Sequence, residues 1–427
     1  METPDLAVAR RVASLLDASP TPFHAVETAS QELNAAGFVE LGPEQAPTVP
    51  GRQYVRQGGA LVAWVVADHH SAASGVRVAA AHSDSPNLRV KPQPDTQTGS
   101  WRQLGVEVYG SALLNSWLDR DLGLAGRVVI RDGDHTAARL VHDNRPLLRI
   151  PQLAVHLDSE IRNSGLVLNP QRHLVPIWGL DPDVPEFRGY LGELLSVDAG
   201  DVLSWDMMAH LLTPAALTGM GQCFLTSSRI DNLLSCFLGV DALLALAADP
   251  GPRIPVLCLF DHEEVGSVSS TGAASPMLGA VLERLNAALG GDLEDLHRSR
   301  LDSLVLSADG AHATHPNYPD RHEPGHQIEL NAGPVLKFNA SQRYATDAQG
   351  AAAFTLACER AGVGMQKFVN RSDLACGSTI GPQTAAELQV AVVDAGCAQL
   401  AMHSASETAG SRDPGYFLAA MIELLAG

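Results

Sequence analysis

With 427 residues the chain exceeds what one hydrophobic core usually serves, so two domains are expected, and 45% hydrophobic against 18% charged residues leaves ample material for a large interior. The 48 acidic side chains outnumber 29 basic ones, a formal net charge of −19 that disfavours nucleic acid and anionic membranes as partners. Six cysteines without a CxxC pair, a polar stretch from Met1 to Arg11 and no apolar run of spanning length argue against a disulfide framework, a secretory signal and a membrane segment, and favour a reducing, cytoplasmic setting.

In chain order, Leu6, Ala9, Val12, Leu15 and Leu16 fall on one face at helical spacing. A second helix is expected from Thr21-Pro22, a hydroxyl cap followed by proline at the first helical position. Leu61 to Ala67 and Val76 to Ala81 are short, apolar, β-branched runs that read as strands, the second leading into Ala81-His82-Ser83-Asp84. From about Lys91 to Gly221 the texture changes. Gly126 to Ile130, the turn signal Asp132-Gly133 and Ala137 to Val141 predict a hairpin. Beyond Ser227, helix and strand alternate: Asp231 to Ala248 helical, Ile254 to Phe260 a buried strand, Met277 to Leu289 helical, Leu301 to Ser307 a strand, Asp347 to Ala361 and Tyr416 to Leu425 helical. The pattern predicts an α/β fold, helices covering a mixed sheet in αβα fashion, with a strand-rich module inserted.

Ligands in such sheets gather beyond the strand ends. There stand His82 and Asp84, then Glu263-Glu264 after one strand and Asp309 after another, with Asp231 at a helix start and His403 late in the chain. Histidine nitrogen with carboxylate oxygen suits zinc, and paired metals share a bridging carboxylate while one acid stays free as a base. His82, His403, Asp309, Glu264 and a bridging Asp231 supply that count, with Glu263 left over. Asp84 is spaced to accept the second imidazole N–H of His82. Each has a plainer reading: Asp231 as a helix cap, Asp309 as a turn cap, Glu263-Glu264 as solvated acids. Asp119, Arg120 and Asp121 read as a structural ion-pair network, and Cys376 as a packed thiol.

Six blocks extend the pattern in one order along nearly the whole chain: Ala81-His82-Ser83-Asp84-Ser85-Pro86-Asn87, Ser116-Trp117-Leu118-Asp119-Arg120-Asp121-Leu122, Arg229-Ile230-Asp231-Asn232, Asp261-His262-Glu263-Glu264-Val265-Gly266-Ser267, Ser307-Ala308-Asp309 through Tyr318, and Gln399-Leu400-Ala401-Met402-His403-Ser404. Together they resemble the M18 metallo-aminopeptidases, the aspartyl aminopeptidase family. The resemblance implies a catalytic domain over 1–91 and 228–427, and an inserted dimerisation or lid domain over 92–227. It implies two divalent metals, zinc first with cobalt or manganese as alternatives, held by His82, Asp231, Glu264, Asp309 and His403. Glu263 would be the general base, and a cis peptide would follow the bridging Asp231. His312, Lys337 and Tyr344 match substrate-contacting positions, Lys337 favouring an acidic N-terminal residue through its charge. His156 matches a residue that reaches the active site of a neighbouring subunit. The resemblance further implies peptide substrates with a free N-terminus and a homo-oligomer, dimers assembling into a dodecamer. Two rivals stand beside it: another two-metal amide hydrolase acting on dipeptides or N-acyl amino acids, and a catalytically silent assembly or cargo protein. Without the family, Lys337 reads as a surface lysine following a strand over Gly333 to Leu336, and His156 as an ordinary strand histidine.

Overall fold

A computed structural model of the chain describes residues 4–158, 160–182 and 184–427. These fall into two compact units, one running through Asp84 and resuming over Ala215–Met402 and Glu407–Gly427, the other formed by Ser85–Pro214 and His403–Ser406.

The first unit is built on a nine-stranded mixed sheet in the order Val39–Glu40, Gly51–Gln57, Ala60–Val66, Ile254–Phe260, Val76–His82, Leu304–Ala308, Ala391–Gly396, Val335–Phe338 and Gln366–Val369. Ile254–Phe260, Val76–His82, Leu304–Ala308 and Ala391–Gly396 are mutually parallel, whereas Ala60–Val66 and Val335–Phe338 run antiparallel to their neighbours in this set. Ile254–Phe260 is buried at every position, as expected for a strand covered on both faces. Alternate residues serve different cores. Ala79, Ala81, Leu257 and Leu259 join the helices Pro22–Ala35, Ile230–Ala245, Ala348–Ala361 and Asp413–Ala426. Val78, Ala80, Val256 and Cys258 join Leu278, Val281, Leu282 and Leu285 of the helix Met277–Ala288. The result is a helix–sheet–helix sandwich.

Helix starts follow local chemistry. The Thr21 hydroxyl accepts the His24 N–H at 3.4 Å ahead of Pro22, and Asp347 accepts the Gly350 N–H at 2.7 Å. A helix over Leu293–Leu301, absent from the sequence reading, takes Leu301 out of the expected strand, which begins at Leu304. A five-stranded sheet adds Ala216–Thr218, Phe224–Ser227, Glu407–Gly410, Ala398–Leu400 and Ala311–His312 in that order.

The second unit holds a six-stranded antiparallel sheet around Leu88, Leu104, Leu124, Val128, Phe187 and Leu191. Its hairpin, Leu122–Asp132 with His135–Leu148, turns at Gly133 with φ +60°, a left-handed position that suits glycine. The charged trio at 119–121 looks outward to other partners. Asp119 accepts the Gln152 N–H and side-chain amide at 3.1 and 2.8 Å, while Asp121 pairs with Arg149 at 2.7 Å. Among the described residues no helix is long and apolar enough to cross a membrane.

Candidate active site

Three adjacent parallel strands end on one edge of the large sheet, and each delivers an ionisable group there. His82 is the last residue of Val76–His82, paired in register with Phe260. Glu263 and Glu264 follow Phe260 on a single 3₁₀ turn, Glu263–Val265, and Asp309 follows Leu304–Ala308. Asp231 arrives from the other side, in the first turn of the helix Ile230–Ala245, where Arg229 takes a left-handed φ of 59° and the Asp231–Asn232 peptide bond is cis.

These side chains converge. His82 Nε2 lies 3.3 Å from Asp231 Oδ1, 3.8 Å from Asp309 Oδ1 and 4.0 Å from Glu263 Oε2. Among the described residues, donor atoms of His82, Asp231 and Glu264 all lie within 4.8 Å of one another. One imidazole with several carboxylates is the nitrogen–oxygen mixture that zinc accepts, so the donor set fits a divalent metal.

Asp84 has two jobs. The His82 Nδ1 position faces the Asp84 carbonyl at 3.0 Å and its carboxylate at 3.4 Å. The same carboxylate accepts the backbone N–H groups of Glu263 and Glu264, each at 3.1 Å, an anchoring role that no local motif signals. Asp84 is fully buried, so these bonds are made away from competing water.

Crowding of acids sets the electrostatics. Burial, reinforced by the charges of Asp309, Asp231 and Asp84 against the opposing pull of His82, pushes the Glu263 carboxyl up to about 8. Glu264 rises well above its ordinary value, from burial first and then the Asp231 charge. Burial would lower the His82 imidazole, yet the nearby carboxylates of Asp231, Asp309 and Asp84 outweigh that and hold it well above its usual value.

Lys337 is no surface lysine. It lies within the strand Val335–Phe338 at 1% exposure, and its ammonium donates to the Asp309 and Gly310 carbonyls at 3.1 Å each, with Asp309 Oδ2 at 3.4 Å. The Tyr344 ring stands 5.0 Å from that ammonium, and Phe368 packs 6.2 Å from both the Tyr344 and His312 rings. Tyr344 is buried and His312 exposed.

His156 and His403 belong to the second unit. His156 is exposed in a turn. His403 is half-buried with φ 67°, its Nδ1 facing the Ser111 carbonyl at 3.2 Å and its own carbonyl accepting the Leu113 N–H at 2.9 Å. Glu407 carries no motif that marks it in the sequence: it is buried at 1% exposure, and its Oε2 accepts the Asp231 N–H at 3.1 Å.

Comparison with known proteins gives a consistent result. The family described as aminopeptidase I zinc metalloprotease (M18) matches residues 15–423. A probable M18 family aminopeptidase 2 of Streptomyces coelicolor is 48% identical over 417 residues, covering 96% of each chain. The cryo-EM structure of the Ape4 and Nbr1 complex superposes with a TM-score of 0.95 at 33% identity, over 99% of this chain and 86% of that one. The mApe1 dodecamer of S. cerevisiae superposes at 0.85 with 27% identity, over 98% and 96%.

Proposed function

The chain belongs to the M18 family of zinc metallo-aminopeptidases, and from that premise we propose that it removes N-terminal residues from peptides at a dinuclear site with Glu263 as general base. The observation that carries this reading is the meeting of His82, Asp231 and Glu264 donors within 4.8 Å, with Glu263 and Asp309 alongside. His82, Asp231, Glu264, Asp309 and His403 would hold two divalent ions, zinc first and cobalt or manganese next, with Asp231 shared between them. Bound there, the metal supplies Lewis-acid polarisation of the scissile carbonyl and a water of lowered pKa.

The remaining work falls to the chain itself. The free α-amine of the peptide would be held at one of the metal positions or by a nearby carboxylate, restricting cleavage to the N-terminus. Glu263 takes the proton of the attacking water and returns it to the leaving amine. Its turn is fixed through Asp84, which also orients His82.

Asp and Glu are the N-terminal residues we expect to be favoured, with Lys337 as the attracting cation beside Tyr344 and His312. Because two of its three ammonium N–H groups donate to the Asp309 and Gly310 carbonyls and Asp309 Oδ2 stands 3.4 Å away for the third, Lys337 acts on a substrate carboxylate through its charge and not through a direct bond. The unit running through Asp84 and over Ala215–Met402 and Glu407–Gly427 then corresponds to the catalytic domain expected over 1–91 and 228–427, and the unit over Ser85–Pro214 to the dimerisation or lid domain expected over 92–227. We extend the reading to a homo-oligomer of dimers, twelve subunits in all, by analogy with the mApe1 dodecamer, His156 reaching a neighbouring active site. A cytoplasmic location suits six free thiols.

The test is a rate survey over aminoacyl reporters differing at the N-terminal residue, beside N-acylated counterparts, using metal-free protein reloaded with defined ions. Cleavage confined to free-amine substrates and fastest for Asp or Glu is expected. Equal turnover of N-acylated substrates would favour the wider amide-hydrolase reading, and metal-loaded protein without turnover a silent assembly role.

A further inference from the structure

We propose that Glu407 is a positioning residue for Asp231, holding that carboxylate in the metal cluster through the Asp231 backbone N–H; the inference rests on the metal-site reading above. Sheet register brings the two together. Glu407 opens the strand Glu407–Gly410 and pairs with Ser227, four residues before Asp231. From there its Oε2 reaches the Asp231 N–H at 3.1 Å.

The segment it holds is not helical and needs holding. Arg229 has φ 59°, Asp231 has ψ 104° and Asn232 has ψ 23°, and no side chain caps the helix at Arg229. Two polar anchors fix the segment from outside: Glu407 on the Asp231 N–H, and the Ala308 carbonyl accepting the Asn232 side-chain amide at 2.7 Å. Between them Asp231 Oδ1 is set 3.3 Å from His82 Nε2. A carboxylate at 1% exposure is expensive unless bonded and charge-compensated. Arg229 provides compensation, a half-buried guanidinium that feels the Asp17 and Glu407 charges and donates to the Leu16 carbonyl at 3.1 Å. An apolar residue at 407 would serve the sheet equally well and would leave the Asp231 N–H without this acceptor.

The experiment compares full-length Glu407→Leu, Glu407→Gln and Ala409→Gly with wild type. Ala409 is buried in the same strand and serves as a packing control. Glutamine keeps an acceptor oxygen and leucine does not. We expect Glu407→Leu to retain metal about tenfold more weakly in dialysis against graded chelator, to alter the visible spectrum of the cobalt-loaded protein, and to lose kcat more than it raises KM. Glu407→Gln should restore all three to within about threefold of wild type. Ala409→Gly should lower the melting temperature without changing metal content. Wild-type metal retention and cobalt spectrum in Glu407→Leu would overturn the inference. So would equal metal loss in Ala409→Gly, or a Gln variant as impaired as Leu. Wild-type protein that kept no divalent metal would overturn the underlying site reading, and this inference with it.

Discussion

Glu263 stands 4.0 Å from the His82 imidazole, half-buried, and outside the trio of donors that lie closest together. Replacing it with glutamine keeps the shape but removes the proton acceptor. Glu263→Gln should therefore retain metal on elemental analysis while kcat falls by about 10²–10⁴-fold. The raised pKa values give a second expectation. Without a cation, Glu263, Glu264 and His82 all hold protons more tightly than usual; metal binding requires the ligands Glu264 and His82 to give theirs up, and the charge of the cation draws off that of Glu263 beside them. Loading metal into stripped protein at pH 7 in weak buffer should acidify the solution. Metal affinity should fall as pH drops, and the proton release from Glu263 should fade above about pH 8, where that group has already ionised. At this scale the residue types and spacing around His82, Glu263-Glu264 and Asp309 were legible because each follows a recognisable buried strand. Glu407 was not, since its partner is a backbone N–H 176 residues away, and nothing in the local sequence advertises such a bond.

The turn Glu263–Val265 is a unit that docks on one carboxylate. Asp84→Ala would leave both of its leading N–H groups without that acceptor and loosen the imidazole of His82, so metal affinity should drop about 10–100-fold in a chelator competition. In the second unit, Asp143 ties the hairpin strand to the helix Phe187–Leu195. It is buried, pairs with Arg145 at 2.6 Å and accepts the Tyr190 hydroxyl at 2.9 Å, and Arg145 above all holds its carboxyl down to about 2. A carboxyl depressed on folding stabilises above its unfolded pKa, near 4, and that contribution is lost as pH falls through about 2. Because Arg145 is largely exposed, water screens the pair, and Asp143→Asn should cost about 1–2 kcal/mol at neutral pH, read from urea unfolding, with a shallower acid limb between pH 4 and 2. Elements with strong apolar periodicity were readable, as with Ile254–Phe260 and the Thr21-capped helix. The helix Leu293–Leu301 is hidden in the sequence because charged residues mask its weak apolar stripe. Its start is marked by a reciprocal cap between Asp292 and Asp295, an aspartate standing where glutamate or glutamine is the usual signal.

For the whole molecule, the metal is expected to act as a ligand of the folded state alone. Stripping it with a chelator should abolish turnover and lower the melting temperature, and re-adding zinc should restore both. At a free metal concentration a hundredfold above Kd the stabilisation is about 2.7 kcal/mol. The oligomer proposed here predicts a particle of twelve chain masses by light scattering. The two-core sandwich followed from helix–strand alternation, whereas the five-stranded sheet did not, because its strands are two to four residues long and scattered from Ala216 to Gly410. Such short pieces carry no period to detect.

Hanging Glu263 and Glu264 from one short turn joins two events that other designs could separate. On the roles proposed here, no rearrangement of that turn can withdraw the proton acceptor while leaving the cation's oxygen donor in place. Any disturbance of that turn should then cost bound metal and turnover together.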